Sequence, residues 1–449
     1  MIQLNALLFI FLALYLLQSS TQAYLHRLNL SYLRRKGNDV PELLRDLIDG
    51  EKFKKISAYT VESDQFSMMA TLFDQGVSLA ILLSGLLPWL VNLIHSWGFG
   101  VITGGLVFFA ILSAVTHLLR LPFGLYDTFV IEERYGFNTM TPRMWLADLA
   151  KSLLIVAVLG GMILGLLLFL LVYGGRTWWV WAWMVLGAFE WLLLWLFPVL
   201  IAPLFNKFDP IEDKALERRI EDLMSKVGLR VKGVFQMDAS KRSRHTNAYF
   251  TGIGKNKRVV LFDTLLTSHT KDEILAVLAH EIGHWKRKHL LKQLVPLELL
   301  SLVGLYLVAR LLDWPLLYET FGLATSVPYV GLYLIGALIS PLAYFAQPLG
   351  SWIARRFERE ADDFSVKLLG NAEPLRGALK RLATDNLSNL TPHPLYAWFY
   401  YSHPPLIERI SRLSAMGKVD TTVRKDADKS ISLPGTNPRS SAGENLEKF

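Results

Sequence analysis

Apolar residues gather along the chain into seven runs, each close to the length at which a helix crosses a bilayer. A spanning helix needs about 20 largely apolar residues to cover a hydrocarbon core about 30 Å thick. The sequence therefore predicts seven transmembrane helices. They cover residues 2–18, 77–94 (interrupted by Pro88), 101–119, 153–173, 178–201, 290–312 and 327–347.

The first apolar run could instead be a secretory signal peptide. No Lys or Arg precedes it, whereas four basic residues follow it, between Arg27 and Lys36. A signal peptide carries its positive charge in front of the apolar segment, so the pattern favours a retained first span.

Basic residues follow the odd-numbered spans and are nearly absent from the opposite loops. The loop after the fourth span carries Arg176, and residues 314–326 contain no Lys or Arg. Because short cytoplasmic loops carry the excess of positive charge, we expect the N-terminus outside and the long polar segments in the cytoplasm, together with the C-terminus.

Two polar regions interrupt the apolar pattern. The first contains a predicted helix at 214–227, a predicted β-hairpin of strands 247–251 and 258–262, and a capping box, Thr270-x-x-Glu273, that begins another helix. The sequence thus predicts five units. They are a membrane region at 1–205, a catalytic segment at 206–289, spans six and seven at 290–350, a second catalytic segment at 351–417, and a disordered tail at 418–449.

The composition supports a multi-pass membrane protein whose partner is the lipid bilayer. Hydrophobic residues make up 52% of the chain and charged residues 19%. The net charge of +8 does not indicate nucleic-acid binding, because the cations flank apolar runs and form no basic-aromatic stripe. The chain has no cysteine, so any metal must be held by histidine and carboxylate groups. The oligomeric state stays open.

The most specific motif is His280-Glu281-Ile282-Gly283-His284, in a stretch with helical character. Residues four apart share a helix face, so both imidazoles can point at one ion. Zn²⁺ binds imidazole nitrogen and accepts a site with one open position, beside which Glu281 could take a proton from the attacking water. The motif predicts a zinc peptidase with one Zn²⁺ per chain.

A third ligand is expected on the helix that follows the seventh span. Glu358 and Asp362 are four residues apart there, so Glu358 could ligate the metal while Asp362 accepts the second N–H of a ligating histidine. Glu360 is the competing ligand, but it lies on a different face from Asp362. The plainer alternative for the whole stretch is a solvated charged helix.

Three more residues are candidates for contacts with substrate. His403 could donate to a developing oxyanion, and Arg409 could orient His403 or bind a carboxylate. Asn247 lies on the predicted edge strand, to which a peptide could add as a further strand. The plainer alternatives are a capping histidine, a surface arginine and a turn residue.

Two glutamates, Glu190 and Glu298, lie within or near apolar runs. A carboxylate at membrane depth usually faces a water-filled interior. We expect these side chains to line a wet cavity, and a proton relay is the alternative.

Seven segments of the chain match one family's pattern, in order. They are 131–138 (IEERYGFN), 203–208 (PLFNKF), 247–250 (NAYF), 261–266 (LFDTLL), 280–284 (HEIGH), 357–362 (FEREAD) and 402–405 (SHPP). Over residues 129–409 the chain thus resembles the type I CAAX prenyl endoproteases, the integral-membrane zinc peptidases of the gluzincin group. The resemblance implies a mainly α-helical barrel of seven spans around a large water-filled chamber, with the zinc site near its cytoplasmic side.

The same resemblance implies roles for individual residues. The zinc ligands would be His280, His284 and Glu358, the base Glu281, the partner of a ligand Asp362, and the substrate contacts Asn247, His403 and Arg409. Eukaryotic members cleave the last three residues from farnesylated CAAX proteins, so a peptide or prenylated peptide is the expected substrate.

Other functions remain as alternatives. The compact loops and the lack of a visible retrieval signal favour a bacterial inner membrane over the endoplasmic reticulum, where the role could be quality control of membrane proteins without prenyl specificity. A transporter or channel would need a closed metal site with four protein ligands. A catalytically silent binding chamber would have no use for Glu281.

Overall fold

The structure is a computed structural model that describes residues 2–36, 40–46, 48–252 and 256–416; the tail predicted to be disordered, 418–449, lies outside them. Within this part of the chain, seven helices are long and apolar enough to cross a membrane, as predicted. They are α1 (Ala6–Lys36), α2 (Gly50–Leu83), α4 (Val101–Tyr135), α5 (Pro142–Tyr173), α6 (Gly175–Phe205), α10 (His289–Leu311) and α12 (Pro328–Leu369).

Shorter elements connect these spans. The helices are α3 (Leu86–Ser96), α7 (Lys214–Lys226), α8 (Asp263–Ser268), α9 (Lys271–Lys286), α11 (Pro315–Thr320), α13 (Glu373–Asp385), α14 (Pro394–Tyr400) and α15 (Leu406–Met416). The strands are β1 (Phe208–Pro210), β2 (Arg230–Met237), β3 (Ala248–Thr251) and β4 (Asn256–Phe262).

The second span lies earlier in the chain than the apolar run at 77–94 predicts. Helix α2 ends at Leu83, and α3 is a separate helix of 11 residues. The break falls at Gly85, whose φ of 81° is a left-handed conformation that glycine adopts without steric cost. Pro88 lies in the first turn of α3, where a missing N–H is tolerated. The first half of α2 carries charged residues, so hydropathy alone placed the span too late.

The polar segment after α6 forms a four-stranded sheet of order β1-β2-β4-β3. Strands β3 and β4 pair antiparallel, which confirms the predicted hairpin. The sequence pattern did not reveal β1 and β2, the latter parallel to β4. Strand β3 stands at one edge of the sheet, so no described strand pairs with one side of its backbone.

Helix α9 begins with the predicted capping box. Thr270 Oγ1 accepts a hydrogen bond from the Glu273 N–H at 3.3 Å, and Glu273 Oε2 accepts one from the Thr270 N–H at 2.8 Å. Close approach of α9 to α12 depends on Gly283, where an added Cβ would stand 3.0 Å from the Ala361 Cα. The two helices therefore meet along the face that carries the histidines.

Helix α12 runs without a break for 42 residues, from the last span through the second acidic motif. It ends at Gly370, in a left-handed conformation with a φ of 69°. The boundary predicted at residues 350 and 351 falls inside this helix, and the division into five units stays a prediction.

The spans pack tightly at one end and loosely elsewhere. A cluster of buried residues from α1–α5, α11 and the start of α12 includes Phe11, Leu90, Phe108, Tyr318 and Tyr329. By contrast, the apolar windows of α6 and α10 bury none of their residues inside the protein. The buried apolar contacts between spans are therefore concentrated in this cluster, and α6 and α10 expose most of their apolar surface.

Candidate active site

Helices α9 and α12 bring three predicted ligands together. His280 Nε2 lies 3.1 Å from His284 Nε2 and 3.4 Å from Glu358 Oε2, and His284 Nε2 lies 3.2 Å from Glu358 Oε1. Among the described residues, these three form the group whose ligand atoms all lie within 4.8 Å of one another. The structure thus assembles the set that the sequence predicts from two distant motifs.

The donor set fits a zinc ion. With tetrahedral bonds of about 2.0–2.1 Å, neighbouring ligand atoms stand about 3.3 Å apart, close to the separations here. Two imidazole nitrogens and a carboxylate converge, an arrangement that needs a proton or a cation between them. Glu358 Oε2 is buried and accepts no hydrogen bond, as expected for an atom that binds a metal.

The site is an open one. No fourth His, Asp or Glu of the described residues joins the set of His280, His284 and Glu358. A structural zinc site is closed by four protein ligands, whereas a catalytic site keeps one position for water or substrate. The geometry therefore gives no support to a transporter or channel with a purely structural metal.

His280 rests against a buried ion pair. Its Nδ1 lies 2.8 Å from Asp362 Oδ1, and Arg409 donates two hydrogen bonds to the same carboxylate, at 3.0 and 2.6 Å. Burial lowers the pKa of His280, but the carboxylates of Asp362 and Glu358 oppose this and raise the pKa to about 9. Arg409 Nη1 also lies 3.6 Å from Glu358 Oε2. The structure thus places Arg409 behind the ligands, and its predicted contact with substrate stays a prediction.

Glu281 is half-buried beside the ligands on α9. Burial raises the pKa of Glu281, and the charges of His280 and His284 only partly oppose this. A carboxylate with a raised pKa is a stronger base, which suits a group that takes a proton and passes it on.

His403 lies at the exposed side of the site. Its Nε2 is 3.4 Å from Glu358 Oε1 while 64% of its side chain is exposed, and its Nδ1 is 3.0 Å from Ser402 Oγ. Asn247 is exposed immediately before the edge strand β3, and its Oδ1 accepts a hydrogen bond from the Ala248 N–H at 2.8 Å. Both residues are reachable by a peptide, and their roles stay predictions.

A further network holds the segment that leads to Asn247. Glu132, in the first matched motif, accepts a hydrogen bond from the Tyr59 hydroxyl at 2.6 Å and lies 3.2 Å from His245 Nε2. The His245 ring stacks on Phe137 with 4.0 Å between ring centroids. These contacts tie the segment before the edge strand to α2 and α4.

Sequence reasoning did not single out His289. Its Nδ1 lies 3.0 Å from His284 Nδ1, and its Nε2 lies 3.3 Å from Glu360 Oε2. Glu360 therefore faces His289 and is absent from the candidate ligand set, which leaves Glu358 as the candidate third ligand. The available signal was a third histidine five residues after the motif, in a chain with 10 histidines.

The two membrane glutamates pair with each other. The carboxyl groups of Glu190, on α6, and Glu298, on α10, share a hydrogen bond, and the Trp183 indole N–H donates to the Glu298 carbonyl at 3.0 Å. The pair joins two neighbouring spans. That the pair lines a wet cavity stays a prediction, with a proton relay as the alternative.

Comparison with known proteins decides the family. Residues 29–207 match the family model described as CAAX prenyl protease N-terminal, five membrane helices, and residues 210–417 match the model of peptidase family M48. The chain is 36% identical over 390 residues to the CAAX prenyl protease 1 homolog of Arabidopsis thaliana, over 84% of this chain and 91% of that protein. The chain belongs to the CAAX prenyl protease 1 family of M48 peptidases.

Other members of the family agree. CAAX prenyl protease 1 of Saccharomyces cerevisiae is 36% identical over 85% of this chain and 90% of its own length. The human homolog is 33% identical over 84% of this chain and 89% of its own length. The crystal structure of S. mikatae Ste24p superposes with a TM-score of 0.86 at 33% identity, covering 92% of this chain and 100% of that chain.

Membership of the CAAX prenyl protease 1 family confirms the coarse predictions. The chain is a multi-pass membrane protein with a helical barrel around a chamber. It is a zinc metalloprotease of the CAAX protease type, and His280, His284 and Glu358 form the candidate metal site.

Proposed function

We propose that this protease removes the C-terminal tripeptide from prenylated CAAX proteins within its membrane chamber. The observation that carries the proposal is the open site of His280, His284 and Glu358 with a half-buried carboxylate, Glu281, beside it. The names of the relatives point to the substrate class, and the chamber supports a substrate that brings an apolar lipid group with its peptide.

The chain's own residues supply the proton transfers and the alignment. Zinc, when bound, supplies a Lewis acid for the scissile carbonyl and lowers the pKa of water. Glu281 takes a proton from the attacking water and delivers it to the leaving amine. His403 donates to the oxyanion of the tetrahedral intermediate from the exposed side of the site. Asn247 and the free edge of β3 hold the peptide in an extended form.

The first experiment compares a farnesylated CAAX peptide with its unprenylated twin, using the purified full chain with zinc. We expect cleavage of the farnesylated peptide alone, and no cleavage by Glu281→Gln at unchanged zinc content. Equal cleavage of both peptides, lost in Glu281→Gln, would remove the prenyl specificity and favour the quality-control peptidase. Cleavage that survives in Glu281→Gln would contradict the assignment of the base.

We further propose that the catalytic segments face the cytoplasm, in line with the distribution of basic residues. Since the natural chain has no cysteine, single substitutions report orientation without background labelling. In sealed cells, an impermeant maleimide should label Arg176→Cys, in the first turn of α6. It should label Lys226→Cys, at the end of α7, only after permeabilisation. The reverse pattern would overturn the orientation.

The host membrane stays a prediction. The sequence favours a bacterial inner membrane, whereas the relatives named above come from a plant, a yeast and human and give that prediction no support. Localisation of the tagged chain in its native cell would decide between this membrane and the endoplasmic reticulum.

A further inference from the structure

The ligand His284 has a second contact on the side away from the zinc position. Its Nε2 faces His280 and Glu358, while its Nδ1 lies 3.0 Å from His289 Nδ1. An imidazole that ligates through Nε2 carries its proton on Nδ1 and donates it to a nearby acceptor. Here the acceptor is the ring of another histidine rather than a carboxylate.

The tautomer of His289 follows from this contact. If Nδ1 accepts the proton of His284, the proton of neutral His289 must lie on Nε2. That nitrogen is 3.3 Å from Glu360 Oε2, so a carboxylate stands where an N–H is available to donate. The donors and acceptors thus run in one direction, from His284 through His289 to Glu360.

The ring of His289 is held firmly in place. Only 2% of the residue is exposed, and its ring stacks on Phe357 with a centroid separation of 4.3 Å and 9° between planes. The chain reaches this position because Lys288 adopts a φ of 55°, which ends the turn after α9 and starts α10. At the far end, Arg356 Nε donates to Glu360 Oε1 at 3.3 Å.

We infer that His289 is a positioning residue that fixes the ring of His284 for zinc, and that Glu360 fixes His289 in turn. The two ligating histidines are then oriented by different kinds of contact. His280 lies directly against Asp362, which Arg409 clamps, whereas His284 reaches its carboxylate through an intervening imidazole. The inference rests on the proposed function only in that His284 must be a zinc ligand.

The test measures zinc affinity rather than proteolysis. His289→Phe keeps the aromatic stacking on Phe357 and removes the acceptor, whereas His289→Asn places an amide oxygen near the position of Nδ1. In competition with a fluorescent chelator, the purified full chain should bind zinc about 10–100-fold more weakly as His289→Phe. His289→Asn should recover most of that loss. The visible spectrum of the Co²⁺-substituted protein should shift in the Phe variant and return towards the natural spectrum in the Asn variant.

A matched control separates this effect from loss of a buried histidine. His269 is also buried, with 7% exposure, and its Nδ1 contacts Ser268 Oγ in the turn before α9. His269→Phe should leave zinc affinity unchanged. Unchanged affinity and an unchanged Co²⁺ spectrum in His289→Phe would overturn the inference. Equal losses in the Phe and Asn variants would overturn it too, because the acceptor would then be irrelevant.

A second pair of variants carries the test should His289→Phe fail to fold. Glu360→Gln retains an oxygen acceptor for the His289 N–H, and Glu360→Leu does not, so only Glu360→Leu should weaken zinc binding. Equal zinc affinity in these two variants would contradict the proposed hydrogen bonds from His284 through His289 to Glu360. His284→Ala, in the same titration, tests the zinc site itself. If it binds zinc normally, the proposed site is wrong, whereas normal binding by the His289 and Glu360 variants alone removes only this inference.

Discussion

His280 and Glu281 are neighbours in the chain with opposite electrostatic surroundings. His280 lies against two carboxylates that favour its protonated form, whereas partial burial of Glu281 favours its neutral form. Zinc binding requires the neutral imidazole, so the metal must displace a proton that Asp362 and Glu358 help to retain. The same carboxylates that attract the cation therefore also make its binding depend on pH.

Zinc affinity of the metal-free chain should rise with pH. Because the pKa of His280 is about 9, the imidazole is protonated at pH 7, and each zinc bound releases that proton. We expect the apparent affinity to increase about tenfold per pH unit up to about pH 9 and then to level off. Chelator competition across this range measures the slope. A flat profile around neutral pH would contradict a raised pKa at His280.

Removing Arg409 should destabilise the protein strongly. The guanidinium is buried with 8% exposure and pairs with both oxygens of Asp362, so its loss leaves a buried carboxylate without its partner. Arg409→Met should cost about 3–5 kcal/mol of unfolding free energy. Arg412→Met removes the half-exposed pair with Asp363 and should cost less than about 1 kcal/mol. Denaturant unfolding in detergent compares the two, and similar costs would argue against a special role for the buried pair.

At the scale of elements, the distance between α9 and α12 determines how close the candidate metal ligands lie to one another. An alanine at position 283 would bring its Cβ within 3.1 Å of Phe364 Cβ and 3.2 Å of the Ala361 carbonyl oxygen. These neighbours are backbone or the stem of a side chain, so the helices themselves must separate. The histidines sit on one helix and Glu358 on the other, and separation pulls the ligand set apart.

Gly283→Ala should therefore weaken zinc binding and proteolysis strongly, with only a moderate loss of thermal stability. We expect a stability loss of about 1–3 kcal/mol from overpacking. Gly304→Ala, in α10, is the matched control because nothing lies within 4 Å of its added Cβ. Without such contacts the helix preference for alanine should make that variant neutral or slightly stabilising. Unchanged zinc affinity in Gly283→Ala would show that the helices tolerate the shift.

Features that depend on the spacing of nearby residues could be predicted from the sequence. The capping box and the separation of His280 from His284 follow from helix geometry alone, so the order of residues is enough to predict both. The late start assigned to the second span had a physical cause as well. Its polar first half makes contacts with a neighbouring helix, such as that of Asp64 with His26 of α1, and a hydropathy pattern does not recognise such a segment.

The features that could not be predicted from the sequence depend on contacts between elements far apart in the chain. His289 acts on His284 only because a turn at Lys288 brings the start of α10 back towards α9, and no helical spacing encodes five residues across a turn. The contact of Arg409 with Asp362, 47 residues earlier in the chain, likewise could not be predicted from local spacing, whereas its predicted contact with substrate stays a prediction. Short strands such as β1 contain too few residues to show an alternation of apolar and polar positions.

At the scale of the whole molecule, we expect the barrel to limit which polypeptides reach the candidate metal site. On this expectation, a substrate tail has to pass a wall about one helix thick, roughly 10–12 Å. An extended chain covers about 3.3–3.6 Å per residue, so about four residues are needed to cross it. A folded domain attached closer than this to the cleavage site cannot deliver its tail.

Cleavage should therefore depend on the length of the linker before the CAAX tail. A folded reporter with a farnesylated tail should be a poor substrate with linkers shorter than about four residues, and the rate should rise and then level off as the linker grows. The matching free peptide serves as the control, because it carries no domain to be excluded. A rate independent of linker length would mean that the site is open to the surrounding solution.

Helix α12 continues without a break from the last span to Glu358, so a tilt of the span should move the Glu358 carboxylate. From the end of the apolar run near Gln347 to Glu358, the helix extends about 16 Å, at about 1.5 Å per residue. A spanning helix tilts when its apolar length and the lipid thickness disagree. A tilt of about 2° carried along this lever moves the carboxylate by about 0.5 Å, the tolerance within which a catalytic constellation must be held. We therefore expect the acyl-chain length of the surrounding lipid to affect activity through the helix that carries Glu358, the candidate third ligand.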